Sequence, residues 1–159
     1  MTEAEGGRAA PLYFEDVRIG QRFTTVSHTI SAEEIRAFAA QFDPQPFHLD
    51  PDAARTSLFG QLVASGWHTA ALTMRLMLDS GPQFAAGTVG LGADLSWRRP
   101  VRAGDTLHAQ VEVLETIESQ SRRDRGRIVM RVETCNQNGE AVQTQIARVL
   151  VPRRAPAQA

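Results

Sequence analysis

The pattern of apolar and polar residues in the first part of the chain predicts a strand followed by a capped helix. Residues 21–30 alternate weakly and are rich in Thr, Val and Phe, which is typical of a β-strand. Ser31 and Glu34 then match a capping box, in which each side chain bonds the backbone N–H of the other residue. Apolar residues follow at helical spacing, at Ile35, Phe38, Ala39 and Phe42. A helix with one apolar face is therefore expected here.

Prolines divide the segment that follows this helix. Pro44 and Pro46 are expected to end the helix, so residues 43–48 should form a stiff loop at its C-terminus. A second, short helix is predicted for residues 51–56, because Asp50 can cap it and a proline occupies its first position.

The most apolar helical stretch of the chain covers residues 66–78. Arg75 is its only charged residue, and a helix that is apolar nearly all round is usually buried. Gly81 and Pro82 are expected to end it.

Period-two alternation in the second half of the chain predicts long strands. The predicted strands cover residues 89–97, 107–113, 127–134 and 141–151. Asn138-Gly139 indicates a tight hairpin between the last two. An antiparallel sheet wrapped around the central apolar helix fits this order, because the two need each other for burial. We therefore predict an α+β hot-dog fold. A sheet with its helices on one face is the alternative, but it leaves the far side of that helix too apolar.

Length and composition favour one domain. The 159 residues are 42% hydrophobic and 22% charged, which is normal for a globular protein with a real core. We expect a single domain over residues 1–159, with its core at about residues 12–152. The ends, residues 1–10 and 153–159, are expected to be loose tails.

Charge and cysteine content exclude several classes of partner. The formal net charge of −1 gives no reason to expect nucleic acid or an anionic membrane. No stretch approaches the roughly 20 apolar residues that span a bilayer, and the N-terminus lacks the apolar centre of a signal peptide. Cys135 is the only cysteine, which excludes an internal disulfide and a cysteine-based metal cluster. A cytoplasmic protein without a metal is expected.

Asp43 and His48 are the first candidates for chemistry. They lie five residues apart on the proline-bounded loop, and an Asp–His pair can act as an acid and a base near neutral pH. The spacing alone also allows a structural interpretation, in which Asp43 caps a turn and His48 is a hydrogen-bonded surface or core histidine.

The start of the apolar helix is the second candidate. Gly66 allows close approach to the backbone, and a helix N-terminus offers unpaired N–H groups with a partial positive charge. A thioester carbonyl placed there would be polarised, and an enolate stabilised. An ordinary glycine at a helix start is the alternative. His68 is expected to be structural, and Trp97 to pack in the sheet.

Several motifs together resemble the MaoC-like, (R)-specific enoyl-CoA hydratase family. Phe42-Asp43-Pro44-Gln45-Pro46-Phe47-His48, with Ala54 at a small position beyond it, is similar to that family's signature. Phe59-Gly60, Ala64-Ser65-Gly66-Trp67 and residues 99–107 resemble its later segments in the same order. The resemblance covers about residues 20–151. Gln45 and Phe47 depart from it, because the family usually has Asn and an aliphatic residue there.

The resemblance implies hydration of an enoyl thioester, or the reverse dehydration. Asp43 and His48 would hold one water, and the Gly66 N–H would bind the thioester oxygen. Asp43 is the expected base and His48 the proton donor, although the sequence leaves that assignment open. The implied substrate-binding residues are Gln45, Phe47, Ser65, Trp67, Arg98 and Arg99.

The implied substrate carries coenzyme A, and no separate cofactor is needed. Arg98, Arg99 and Arg102 could meet the coenzyme A phosphates, and a second cluster lies at residues 122–125. A solvated charged face is the alternative for both clusters. A homodimer is expected by analogy, because the pocket of hot-dog proteins generally lies between two protomers. Two other functions stay open: an acyl-CoA thioesterase and a non-catalytic acyl-thioester-binding subunit.

Overall fold

The computed structural model describes residues 10–155, and six strands of this part of the chain form one antiparallel sheet. The strands are β1 (Arg22–Thr24), β2 (His28–Thr29), β3 (Val89–Trp97), β4 (Thr106–Glu118), β5 (Arg125–Cys135) and β6 (Ala141–Pro152). A 3-10 turn (Phe14–Asp16) precedes four α-helices within the described residues: α1 (Ala32–Phe42), α2 (Pro46–Leu49), α3 (Pro51–Arg55) and α4 (Gly66–Ser80).

The three long strands at the centre of the sheet follow one another along the chain. The order is β1-β4-β5-β6-β3, with β2 also paired to β4, so β3 forms one edge and β1 and β2 the other. Gly139 adopts a positive φ of 74° in the turn between β5 and β6, as the Asn138-Gly139 pattern predicts. The predicted α+β arrangement of an antiparallel sheet with a helix against it is confirmed.

The single strand predicted for residues 21–30 is wrong, because the chain bends in the middle of it. β1 ends at Thr24 and β2 begins at His28. Between them the Thr25 hydroxyl accepts from the Ala109 N–H at 2.8 Å, while the Thr25 N–H donates to the Ala109 carbonyl at 2.9 Å. The Thr25 hydroxyl thus takes the place of a backbone carbonyl as the acceptor for β4, and the strand is interrupted there.

Helix α1 begins and ends as the sequence predicts. The Ser31 hydroxyl accepts from the Glu34 N–H at 3.1 Å, and the Glu34 carboxylate accepts from the Ser31 N–H at 2.7 Å. This reciprocal pair is the predicted capping box. The helix ends at Phe42, and Asp43 is its C-cap residue.

The stiff loop predicted for residues 43–48 is only partly correct. Pro46 begins the short helix α2, because proline already has a helical φ and needs no N–H partner in a first turn. Asp50 then caps α3, as predicted, through its carboxylate and the Asp52 N–H at 2.8 Å. The turn that carries Asp43 is therefore fixed by helices on both sides.

Helix α4 packs on the sheet with one face only, which corrects the prediction of a helix buried all round. Its buried residues are Thr69, Thr73 and Leu76. The opposite face carries three apolar side chains with more than half of their surface exposed: Trp67 at 63%, Met74 at 51% and Leu78 at 58%. The sheet of one chain curves around only one side of the helix.

Helix α4 is joined to the sheet by a buried polar network. The Thr73 hydroxyl lies 2.6 Å from the Thr134 hydroxyl of β5 and accepts from the Gln143 amide of β6 at 3.3 Å. The Gln143 carbonyl oxygen in turn accepts from the Trp97 indole N–H at 3.1 Å. Thr73, Thr134 and Gln143 are each at most 1% exposed, so these bonds fix the helix in a single position on the sheet.

Two residues of the predicted C-terminal tail are held against the 3-10 turn. Arg153 and Arg154 lie in the predicted loose tail, but they form ion pairs with Glu15 and Asp16 at 2.8 and 2.7 Å. Their guanidinium groups also lie over the rings of Phe14 and Tyr13. The rest of the predicted tails, residues 1–9 and 156–159, lies outside the described residues. None of the helices between residues 10 and 155 has the length and apolar character to cross a bilayer.

Candidate functional site

The residues predicted to be catalytic or substrate-binding all line one cavity of about 470 Å³. They are Asp43, Gln45, Phe47, His48, Ser65, Gly66, Trp67, Arg98 and Arg99. The cavity lies where the turn between α1 and α2, the first turn of α4 and the end of β3 meet. The fold thus joins segments that are far apart in the sequence.

His48 is buried in the cavity wall, and one of its ring nitrogens is hydrogen-bonded to the backbone. It is 5% exposed, and its Nδ1 lies 2.6 Å from the carbonyl oxygen of Val63. A carbonyl only accepts hydrogen bonds, so Nδ1 carries the proton that is donated there. In the neutral ring Nε2 is then a bare acceptor, and it lies 3.4 Å from Asp43 Oδ2.

Two neighbours donate hydrogen bonds to the Asp43 carboxylate. The Ser65 hydroxyl donates to Oδ2 at 2.6 Å, and the Gln45 amide donates to Oδ1 at 2.7 Å. The Ser65 bond is the main cause of a lowered pKa for Asp43; partial burial opposes it, and Gln45 and the nearby His48 add to the lowering. Asp43 is therefore an ionised group at neutral pH.

The positions of Asp43 and His48 favour a third molecule that donates a hydrogen bond to each of them. The Asp43 carboxylate and Nε2 of a neutral His48 are both acceptors, so they cannot bond each other directly across 3.4 Å. A molecule with two protons to donate, such as water, can bond to both. The pair can thus orient a water and take a proton from it.

A neighbouring side chain occupies the space beside Gly66. A Cβ atom at this position would lie 2.6 Å from Cδ2 and 2.9 Å from Cζ2 of the Trp97 indole. The indole therefore fills the space that the glycine leaves. The Gly66 N–H belongs to the first turn of α4, where N–H groups have no carbonyl partner within the helix. This N–H remains a candidate donor to a substrate oxygen.

Aromatic side chains form much of the remaining wall. Phe47 contacts the His48 ring edge-on, with centroids 4.6 Å apart, and the Phe59 ring at 5.2 Å. Trp67 meets Trp97 edge-on at 5.2 Å. Sequence reasoning placed Trp97 in the sheet only, and missed that it lines the cavity together with Val63 and Thr69. Its position just before the Arg98-Arg99 pair was the only available signal.

The predicted basic residues lie in three places, and only one of them is in the cavity. Arg98 and Arg99 line the cavity, where Arg98 donates to the Thr144 hydroxyl at 3.2 Å and Arg99 lies 3.6 Å from the Glu140 carboxylate. Arg102 lies between β3 and β4 and does not line this cavity. The cluster at residues 122–125, at the end of the β4–β5 loop and the first residue of β5, does not line it either. There Arg125 is paired with its neighbour Asp124 at 2.8 Å.

His68 lies outside the cavity lining. Its ring stacks on Phe38 with centroids 4.7 Å apart, and burial lowers its pKa. No group of three or more His, Cys, Asp or Glu residues within residues 10–155 is arranged to hold a metal ion.

Comparison with known proteins identifies relatives over most of the chain. Residues 15–136 match the MaoC like domain. A 3-hydroxybutyryl-CoA dehydratase of Methylorubrum extorquens is 33% identical over 144 residues, which cover 90% of this chain and 86% of that protein. An (R)-specific enoyl-CoA hydratase of Rhodospirillum rubrum is 31% identical over 143 residues, covering 89% and 93%.

Solved structures agree with these sequence relatives. The crystal structure of a MaoC-like dehydratase from Rhodospirillum rubrum is similar with a TM-score of 0.88 and 52% identity, and the match covers 91% of this chain and 99% of that one. The predicted hot-dog fold is therefore confirmed. Since the matched domain covers well over half of the sequence, the chain belongs to the MaoC-like dehydratase family.

Proposed function

We propose that this protein adds water across the 2,3 double bond of an enoyl thioester, or removes it from the matching 3-hydroxyacyl thioester. One observation carries the proposal: Asp43 Oδ2 and His48 Nε2 lie 3.4 Å apart in the wall of a cavity, where a water can contact both. The names of two relatives, a 3-hydroxybutyryl-CoA dehydratase and an (R)-specific enoyl-CoA hydratase, support the same reaction.

The hydrogen-bonding pattern favours His48 as the base. Its Nδ1 proton is donated to Val63, so Nε2 can accept a proton from water while the water oxygen forms a bond to C3. The electron pair of the double bond moves onto the thioester oxygen. The imidazolium then returns the proton to C2, the carbonyl re-forms, and His48 is neutral again. This order reverses the sequence-based assignment of Asp43 as base.

Asp43 supports this cycle without exchanging a proton. Its lowered pKa makes it a weak base, and its negative charge 3.4 Å from Nε2 stabilises the imidazolium that forms during the reaction. It also accepts the second hydrogen bond of the attacking water, which fixes the direction of attack.

The negative charge that develops on the thioester oxygen needs a donor. The Gly66 N–H supplies one at the start of α4, where the helix dipole adds a partial positive charge. Loss of one such donor typically reduces turnover by roughly 100- to 1,000-fold. The thioester itself activates C3, so acid–base chemistry and this donor suffice, and we propose no metal or redox cofactor.

Coenzyme A is the proposed carrier. Arg98 and Arg99 lie on the cavity lining as exposed cations, and guanidinium groups bind phosphate oxygens in a bidentate geometry. Their present partners, a hydroxyl at 3.2 Å and a carboxylate at 3.6 Å, leave donors free for a phosphate.

A second copy of the chain is the proposed partner. β3 is an edge strand with exposed Val89 and Leu91, and the neighbouring face of α4 exposes Met74 and Leu78. An unpaired edge beside an apolar face is a surface that proteins normally cover. Trp67 connects this surface with the cavity, so a partner seated on it would lie beside the site.

The first experiment follows the absorbance of the enoyl-thioester bond of crotonyl-CoA. We expect the wild type to remove this absorbance without releasing free thiol. Asp43→Asn and His48→Ala should each reduce turnover by roughly 100- to 10,000-fold, the range for loss of a general acid or base. Asp52→Asn is the matched control, since that carboxylate is exposed on α3 and pairs only with Arg55 among the described residues.

The same assay separates the alternatives. Release of thiol would indicate a thioesterase. Binding of longer, branched and carboxylated enoyl-CoAs without turnover of any of them would indicate a non-catalytic binding subunit. Near-wild-type rates in either the Asp43 or the His48 variant would contradict the proposed roles of these residues.

A further inference from the structure

Ser65 lies between the two parts of the site, and its hydroxyl contacts both of them. The residue is 0% exposed, and its Oγ contacts two groups. The Trp67 N–H donates to it at 3.2 Å, and Oγ itself lies 2.6 Å from Asp43 Oδ2. An amide can only donate and a carboxylate can only accept, so the single hydroxyl proton of Ser65 points to Asp43.

This contact fixes the carboxylate from outside its own turn. Gln45 binds Oδ1 from two residues away, whereas Ser65 binds Oδ2 from the start of α4. Two donors on the two oxygens prevent the carboxylate from rotating. The oxygen that Ser65 holds is also the one nearest to His48 Nε2.

The same hydroxyl defines the beginning of α4. Ser65 is the N-cap residue, and Gly66 follows as the first residue of the helix. One side chain therefore links the carboxylate of Asp43 to the backbone that presents the Gly66 N–H. A displacement of Ser65 would change the distance between the water-binding pair and the proposed oxyanion donor.

We propose that Ser65 is a positioning residue for the hydration reaction, which holds the Asp43 carboxylate in register with His48 Nε2 and with the Gly66 N–H. This inference rests on the proposed function. It differs from the substrate-binding role expected from the sequence, since the only proton of Ser65 is donated to Asp43 and not to a substrate.

Kinetics of Ser65→Ala test the proposal. We expect kcat to fall roughly 10-fold or more, as for a lost hydrogen bond to a charged group, while KM changes little. Ser65→Thr keeps a hydroxyl at the N-cap and should restore most of the rate. Should the alanine variant fail to fold, Ser65→Gly removes the hydroxyl while costing little at an N-cap position.

Ser31→Ala is the matched control for the loss of a helix cap. The Ser31 hydroxyl caps α1 through an N–H at 3.1 Å, much as Ser65 caps α4, but Ser31 does not line the cavity. Both alanine variants should lower the midpoint of thermal unfolding to a similar degree, while only Ser65→Ala should lose kcat. An unchanged kcat in Ser65→Ala would reduce Ser65 to a helix cap and overturn the proposal. If only KM rose in Ser65→Ala, Ser65 would be a substrate contact, and the proposal would again be overturned.

A titration that needs no substrate adds an independent readout. In protein labelled with ¹³C at the Asp carboxyl carbons, the Asp43 resonance can be assigned by its absence in Asp43→Asn. We expect the pKa of Asp43 to rise in Ser65→Ala and to stay low in Ser65→Thr and Ser31→Ala, because the Ser65 bond is the main cause of the lowering. An unchanged pKa in Ser65→Ala would overturn the proposal.

Different results would overturn the proposed function and the proposed role of Ser65. A wild type that hydrates no enoyl thioester would overturn the proposed function, and the role of Ser65 in it. An active wild type with a fully active Ser65→Ala variant would overturn the role of Ser65 alone.

Discussion

At the scale of single residues, the site is built from side chains whose protons are already assigned. The Nδ1 proton of His48 is donated to Val63, and the hydroxyl proton of Ser65 to Asp43. The atoms left for a ligand are a remaining lone pair of Asp43 Oδ2, Nε2 of a neutral His48 and the N–H of Gly66. This arrangement suits the proposed reaction, in which water is the donor and an enolate oxygen is the acceptor.

The contact between Gly66 and Trp97 predicts that substitutions of these two residues are coupled. Gly66→Ala places a Cβ less than 3 Å from the Trp97 ring, and such overpacking typically costs about 1–3 kcal/mol. Trp97→Leu should make room for that Cβ. We therefore expect the double variant to be less destabilised than the sum of the two single variants, as measured by urea unfolding in a double-mutant cycle.

Additive losses in that cycle would contradict the steric explanation. The glycine would then be needed for another reason, such as approach of the thioester. Turnover of the double variant is a second test of the steric explanation. If the indole only fills space beside Gly66, the double variant should recover part of the rate that Gly66→Ala alone loses.

At the scale of elements, α4 turns two threonines toward the sheet and several apolar residues toward the outside. The Thr73 hydroxyl of its buried face bonds the Thr69 carbonyl within the helix as well as Thr134 of β5 and Gln143 of β6. Buried polar contacts of this kind specify a unique position of the helix. The start of α4 carries Gly66, so the position of the whole helix sets the position of the proposed oxyanion donor.

Removal of the Thr73 hydroxyl tests this role. Thr73→Val keeps the shape but leaves Thr134 and Gln143 with unsatisfied buried groups, which typically costs about 1–3 kcal/mol. Urea unfolding at one fixed protein concentration measures the loss. Thr24→Val, on an exposed position of β1, is the control and should change stability little. Equal effects in the two variants would mean that the network does not fix the helix.

At the scale of the whole molecule, the exposed apolar surface is concentrated beside one sheet edge. β3 carries Val89 and Leu91 at 62% and 51% exposure, and α4 adds Met74 and Leu78. The charged side chains that normally protect an edge strand are largely missing here, since Asp94 is the only charged residue of β3 and is paired with Arg148.

Light scattering coupled to size exclusion should therefore find a dimer of the 17.4 kDa chain or a multiple of it. Leu91→Arg places a charge at this edge and should shift the population toward monomer, with a loss of activity if the partner completes the site. Ile19→Arg is the matched control, because Ile19 is 67% exposed but lies in the turn before β1. A clean wild-type monomer would contradict the proposed assembly.

The sequence by itself determined most of the local structure and the identity of the candidate reactive residues. Caps and prolines set the bounds of α1 and α3, and period-two alternation set the long strands, because these signals act over a few neighbouring residues. The Asp43–His48 spacing within the family-like motifs was sufficient to select the cavity that the fold forms.

Only the tertiary structure decided which atoms meet in that cavity. The bonds from His48 to Val63, from Ser65 to Asp43 and from Trp97 to Gln143 join residues that are 15, 22 and 46 positions apart. Local sequence periodicity cannot predict such pairs, because they depend on where each element packs on the sheet. For the same reason the exposed face of α4 was not foreseen: apolar character shows that a surface needs covering, but packing decides whether this chain or a second copy covers it.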